Sequence, residues 1–252
     1  RTGYSDKKNY LGQVIIPVGD VVPSPFAWVD IPAGQVNLVT EKGREANLFS
    51  EDESRLLDVP AFRIAKYPIT NAQFARFIEA GGYAKHQWWT EVGWRRRESS
   101  SWTQPRYWND EVWCGKEYPV VGISWHEALA FCLWLSDETG EYVMLPTEAQ
   151  WQYAAQGGDG RNFPWGDEWD TTRCNTKEGN IGKTTPVRQY EGRGDSPFGV
   201  VDMSGNVWEW CLSNFIARIN ITGNGILRGG SFDGTSEFAN VSYRTSNSPS
   251  FR

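Results

Sequence analysis

The chain is poor in the residues that most often build metal centres and nucleophilic sites. It has four cysteines and two histidines in 252 residues. Cys114, Cys132, Cys174 and Cys211 are widely spaced, no Cys-x-x-Cys pair occurs, and His86 and His126 lie forty residues apart. A structural zinc site is therefore not written locally. Nor is there a Ser/His/Asp arrangement or a phosphate-cradling glycine loop. No run approaches the roughly 20 apolar residues of a membrane-spanning helix, and no signal-peptide pattern is present. Basic charge is scarce as well: the formal net charge is −6, and the single basic run, Arg95-Arg96-Arg97, reads as a solvated loop. Nucleic-acid binding needs a clustered basic surface, which this composition does not provide. These absences leave the compartment and the oligomeric state open.

Aromatic residues, by contrast, are abundant, with fourteen tryptophans and ten tyrosines. Such large anchors suit a fold with long loops, and core packing is their ordinary use. Three helix starts carry a capping box, in which Ser or Thr satisfies an orphan N–H and Glu or Gln follows three residues on. They are Thr70-Asn-Ala-Gln73, Ser124-Trp-His-Glu127 and Thr147-Glu-Ala-Gln150. The first helix should stop at Gly81-Gly82, the second near Gly140 and the third by Gly157. His126 falls in the capped turn of the second, as a cap-region side chain, and Cys132 on its apolar face as a buried thiol. Short strands are expected at Ala27 to Ile31, Phe62 to Tyr67, Tyr142 to Leu145, Gly225 to Arg228 and Phe238 to Arg244. The fold class is α+β, with short strands, two main helices and long ordered loops. Residues 1–25 read as an N-terminal extension or linker and residues 26–252 as one domain.

Loops of this length need support beyond backbone pairing. The segment Asp202-Met-Ser-Gly205-Asn-Val207-Trp-Glu209 places carboxylates at both ends and carbonyls between, the hard oxygen set that calcium prefers. The same spacing also suits a turn cap at Asp202 and an N–H acceptor at Glu209. Residues 232–252 are rich in Ser, Asn, Thr, Asp and Gly, with interspersed Phe and Tyr. Antibody contact loops share that mixture, in which small polar groups adapt and aromatic groups anchor.

The run Phe198-Gly-Val-Val-Asp-Met-Ser-Gly-Asn-Val-Trp-Glu-Trp210, followed by Leu227-Arg-Gly-Gly-Ser-Phe232, resembles the formylglycine-generating enzyme family, whose domains share a C-type-lectin-like fold. Further blocks agree in order: Phe26 to Gly34, Tyr67 to Phe74, Pro119 to Trp125, Leu145 to Ala155 and Phe163 to Gly166. The resemblance implies a calcium site at Asp202, Gly205, Val207 and Glu209. It implies a second at Asn175 and Thr176, where Glu178, Gly179 and Asn180 compete for the remaining carboxylate position. The two cysteines that oxidise the family's substrate should stand two and seven residues after the aromatic of Gly-Gly-Ser-Phe232, yet those positions hold Gly234 and Ala239. Copper binding through a thiolate pair is therefore not expected, and the chain is expected to carry out no chemistry.

In place of the thiols, residues 232–252 resemble the variable region of proteins diversified by diversity-generating retroelements, which use this fold as a binding scaffold. The expected ligand contacts are Phe232, Asp233, Thr235, Glu237, Phe238, Asn240, Ser242, Tyr243, Thr245 and Asn247, facing a protein or cell-surface ligand. The family's usual close, a stretch ending in Gly-Phe-Arg, is missing from the sequence, which suggests truncation or the loss of a final strand. Two alternatives stand beside this reading. One is a divergent oxidase using a metal or another thiol, with Cys211 as its best candidate, and the other is a sensor or adaptor module of a larger chain.

Overall fold

The computed structural model describes residue 8 and residues 14–40, 53–212 and 223–252. The rest of the expected linker, residues 1–7 and 9–13, lies outside the described residues. Five helices occur among these: α1 (Val18–Val21), α2 (Asn71–Glu79), α3 (Glu91–Ser99), α4 (Trp125–Thr139) and α5 (Glu148–Gln156). The strands are β1 (Trp28–Ile31), β2 (Gly34–Thr40), β3 (Glu53–Val59), β4 (Phe62–Ala65), β5 (Glu209–Cys211), β6 (Gly225–Arg228) and β7 (Thr245–Asn247). They form two antiparallel pairs, β1–β4 and β2–β3, and one antiparallel sheet in the order β5–β6–β7.

All three capping boxes form, each with both reciprocal bonds. The Thr or Ser oxygen takes the N3 amide while the Gln or Glu side chain takes the cap's own N–H, so two orphan donors are satisfied at each start. α4 ends on Gly140 at φ 70°, a left-handed residue that glycine adopts without strain. α4 is apolar on more than one side and is buried accordingly. On one side Phe131 stacks on Phe74 of α2, with ring centroids 5.4 Å apart, and Trp134 meets Phe77. On another, Trp125, Ala128 and Leu129 pack with Trp210 and Leu227 of the three-stranded sheet. The helix thus fixes the sheet that carries the C-terminal segment. Val18 and Val22 are buried in the same core as Phe74, so the expected linker gives its last residues to the domain.

Several expected elements are corrected. Tyr142 to Leu145 is not a strand, because the Ser136 hydroxyl takes both backbone groups of Val143, donating to its carbonyl and accepting from its N–H. Phe238 to Arg244 is not a strand either: the carbonyls of Val241, Ser242 and Tyr243 accept from the Arg228 guanidinium rather than from a neighbouring strand. The Arg95 to Arg97 run lies on α3 instead of in a loop. The four cysteines are free. Near the end of the described residues β7 pairs with β6 through Ile226↔Ser246. Beyond it Arg252 is anchored: its guanidinium meets the buried Glu127 carboxylate at 3.0 Å and lies over Trp102.

Candidate functional site: the C-terminal face and its supports

The turn Gly229-Gly230 has φ of 90° and 78°, so both positions favour glycine. A Cβ on Gly230 would lie 2.9 Å from the Phe238 carbonyl oxygen, too close for any side chain, and this lets the returning segment pass against the turn. From Phe232 onward the scaffold holds the chain by its backbone. Phe232 N–H donates to Asn206 O at 3.0 Å, Lys177 N–H to Gly234 O at 2.9 Å, and Val241 N–H to Asn162 O at 2.9 Å. Ser236 N–H donates to Glu178 Oε1 at 2.8 Å, and Ser204 Oγ donates to Ala239 O at 2.7 Å. Arg228 Nη1 completes the set with three successive carbonyls at 3.0 to 3.2 Å. A side-chain bond also joins the face to the scaffold, Asn240 to Asn162, but it is long at 3.5 Å.

All ten expected contact residues are exposed or half-buried, whereas Gly234, Ala239 and Val241 between them are buried. Phe232, Asp233, Phe238, Tyr243, Thr245 and Asn247 line a cleft of about 1130 Å³. Glu237, Asn240 and Ser242 line a shallower hollow of about 370 Å³, and Tyr243 borders both. Thr235 lines neither. The aromatic members rest on one another or on the scaffold: Phe238 and Tyr243 are 5.0 Å apart, and Phe232 is 5.4 Å from Trp113.

The two positions where the family's cysteines would stand are part of the face's frame. Ala239 is fully buried and Gly234 is closed in by the Phe238 ring. Burial pushes the Cys132 and Cys174 thiols up to about 12, and that of Cys211 further up. A thiol so displaced holds its proton, so Cys211 is not a ready nucleophile.

The cation loops meet at Asn206, which is fully buried at φ 61°. Its N–H donates to Asn175 O at 2.7 Å, and its Oδ1 accepts from Asn175 Nδ2 and Thr185 N. Its Nδ2 donates to Asp202 Oδ2 at 2.6 Å and to Thr185 O. A Cβ on Gly205 would collide with Asn175 O, which explains the glycine. Asn175 and Thr176 are thereby brought against Asp202 and Gly205, while Glu209 turns to Trp151 Nε1 at 2.7 Å. Burial raises both carboxyls, Asp202 strongly and Glu209 to about 7. Among the described residues no group of three or more His, Cys, Asp or Glu could hold a metal. A site here would join carbonyl and amide oxygens to at most the two carboxylates Asp202 and Glu209. The buried Asn175 Oδ1 has no hydrogen-bond partner, and neither do the hydroxyls of Thr176, Thr184 and Thr185. Such orphaned oxygens fit a hard cation.

His126 lies in the capped first turn of α4, as expected, and is buried with Nδ1 unpartnered. Burial, aided by Arg96, depresses its pKa to about 4. Its neutral form therefore stabilises the fold fully above the unfolded value of 6.5, and that contribution is lost as pH falls towards 4. Between pH 7 and pH 4 the wild type should lose on the order of 3 kcal/mol through this group. Urea unfolding of wild type and His126→Leu at both pH values checks it; a stability difference independent of pH would dismiss the assignment.

The anchors Arg228, Asn206, Glu178, Lys177, Ser204 and Asn162 were not expected from sequence. Arg228 alone gave a signal, as a charge closing the otherwise apolar strand Gly225-Ile-Leu-Arg228.

The chain matches the model of the sulfatase-modifying factor enzyme 1-like domain over residues 20–252. A hercynine oxygenase from Mycolicibacterium thermoresistibile is 34% identical over 66% of this chain and 39% of that protein. A formylglycine-generating enzyme from Streptomyces coelicolor is 28% identical over 92% of this chain and 90% of that protein. Among solved structures, Treponema denticola variable protein 1 has a TM-score of 0.64 at 19% identity, over 90% of this chain and 91% of that one, a likeness of fold. The chain spans about two fifths of the length of the hercynine oxygenases it matches, 39 to 44%. The expectation that the chain carries out no chemistry is corrected here, because relatives at 32 to 34% identity bear the names of enzymes.

Proposed function

Since the chain belongs to the sulfatase-modifying factor enzyme 1-like domain family, we propose that it uses the family's scaffold to present residues 232–247 as a contact face for a protein or cell-surface ligand. One observation carries this reading: the scaffold grips that segment chiefly by backbone atoms, which leaves most of its exposed side chains available for contact. Hydrogen bonds to the main chain survive side-chain changes other than to proline, which is what a diversified surface requires. The two hollows separated by Tyr243 give the face relief, and Phe232, Phe238 and Tyr243 supply aromatic anchors. The enzyme names of relatives favour a second reading, in which the 1130 Å³ cleft holds a substrate and chemistry proceeds without thiols at 234 and 239.

Calcium is the cation we propose for the loops beneath the face. Asn175 Oδ1 and the Thr176 carbonyl would hold one ion, and Asp202, Gly205, Val207 and Glu209 another, with no copper involved. A bound ion supplies positive charge to buried oxygens that otherwise lack a partner.

The experiment replaces Thr235, Glu237, Asn240, Ser242 and Asn247 together by Ala. Stability should stay within about 1 kcal/mol, as for exposed positions away from buried networks. Retention on an array of candidate surface proteins should fall at least roughly tenfold. A stability loss like that of a buried Phe, with retention unchanged, would show the face to be structural.

A further inference from the structure

The 3-10 turn Lys177–Gly179 touches the face at two points. Lys177 N–H reaches Gly234 O at 2.9 Å, and Glu178 Oε1 receives Ser236 N–H at 2.8 Å. One bond is donated and the other accepted, two residues apart on the face, so together they fix both the position and the tilt of the first loop after the Gly-Gly turn. The turn is fixed in its own right: it follows the fully buried Asn175 and Thr176 and ends on Asn180 at φ 58°. Glu178 itself is exposed, and its carboxylate takes the Ser236 amide, with Thr176 also beside it, whereas Asn175 is fully buried.

We infer that Glu178 is a positioning residue of the contact face, holding residues 234–236 through the Ser236 amide, and is not a ligand of the cation at Asn175. This rests on residues 232–247 being a contact face. The acceptor role of Glu178 is spent on the Ser236 amide of a stretch, residues 234–236, whose own side chains are Gly, Thr and Ser and carry no charge. A carboxylate accepting one backbone N–H makes a charge-assisted bond, the stronger kind.

The test compares Glu178→Ala with Glu178→Gln. Hydrogen exchange at the Ser236 amide, followed by NMR, should be roughly tenfold or more faster in the Ala variant, as expected for loss of a charge-assisted bond. In the Gln variant, whose amide oxygen still accepts, exchange should lie within about threefold of wild type. Terbium, used as a luminescent stand-in for calcium, should bind wild type and both variants with affinities within about twofold of one another. Unchanged Ser236 exchange in the Ala variant overturns the inference. So does a parallel tenfold loss of terbium affinity in both variants, which would make Glu178 a ligand. If wild type takes up no terbium, the calcium reading fails while the exchange comparison still decides the strut. If ligand retention is indifferent to the face but Ser236 responds, the contact reading falls and the strut stands.

Discussion

Replacing Arg228 by Met lowers stability by about 3–5 kcal/mol, the range for breaking a buried hydrogen-bonded charge network. The side chain is fully buried. Nη1 serves the carbonyls of Val241, Ser242 and Tyr243, and Nη2 serves Gln152 Oε1 at 3.0 Å and Glu148 at 2.8 Å. Met fills similar volume but leaves three backbone acceptors of the face without a donor. Glu148 keeps Arg244, at 2.7 Å, so the uncompensated loss falls on the carbonyls. Arg228→Lys should recover little, since one ammonium cannot span the three carbonyls and Glu148 at once. Urea unfolding with an unchanged slope and a lowered midpoint is the expected record. A loss below about 1 kcal/mol would mean the segment holds itself, and the backbone-anchoring account would be wrong.

Asn206→Leu should cost on the order of 4 kcal/mol or more, close to the whole stability of a modest domain. The change is nearly isosteric, so packing volume is not the issue. It strips partners from Asn175 Nδ2, Thr185 N, Thr185 O and the Asp202 carboxyl in a fully buried place. It also forces a bulky residue to φ 61°, where Asn is tolerated and Leu is strained. Asn206→Gly separates the two effects. Glycine relieves the backbone strain yet restores none of the side-chain bonds, so this variant should remain destabilised by most of the same amount. Should the glycine variant behave like wild type in thermal and urea unfolding, the hub is a matter of backbone conformation alone.

The helices that were legible in the sequence are those whose signals are local. Thr70, Ser124 and Thr147 each find their partner three residues away, so pattern and structure coincide. α3 escaped because Thr90 is followed at the third position by Gly93, which can give an N–H but return no side chain. β2 had a readable period of two, with Val36 and Leu38 buried and Gln35 and Asn37 exposed, but its partner β3 sets two leucines in succession, Leu56 exposed and Leu57 half-buried, which blurs the pattern. Tyr142 to Leu145 and Phe238 to Arg244 look like strands by composition. They are not, because Ser136 and Arg228 take up backbone groups that a neighbouring strand would otherwise pair, and such side-chain partners are invisible to any short window. The same holds for the site. Exposure of the ten contact residues followed from composition and position, whereas the frame beneath them depends on Asn206, Glu178 and Arg228, each acting across the fold.

Because the frame meets the face at main-chain atoms, the two sets of residues are subject to different selection. Drift at Thr235 or Glu237 alters what is touched without touching how the loop is held. Change at Gly230, Asn206 or Arg228 removes the loop's shape whatever the loop displays. A lineage can therefore explore partners at the first set quickly while the second stays fixed, and the rate of substitution along residues 228–247 should rise and fall with the alternation of buried and exposed positions.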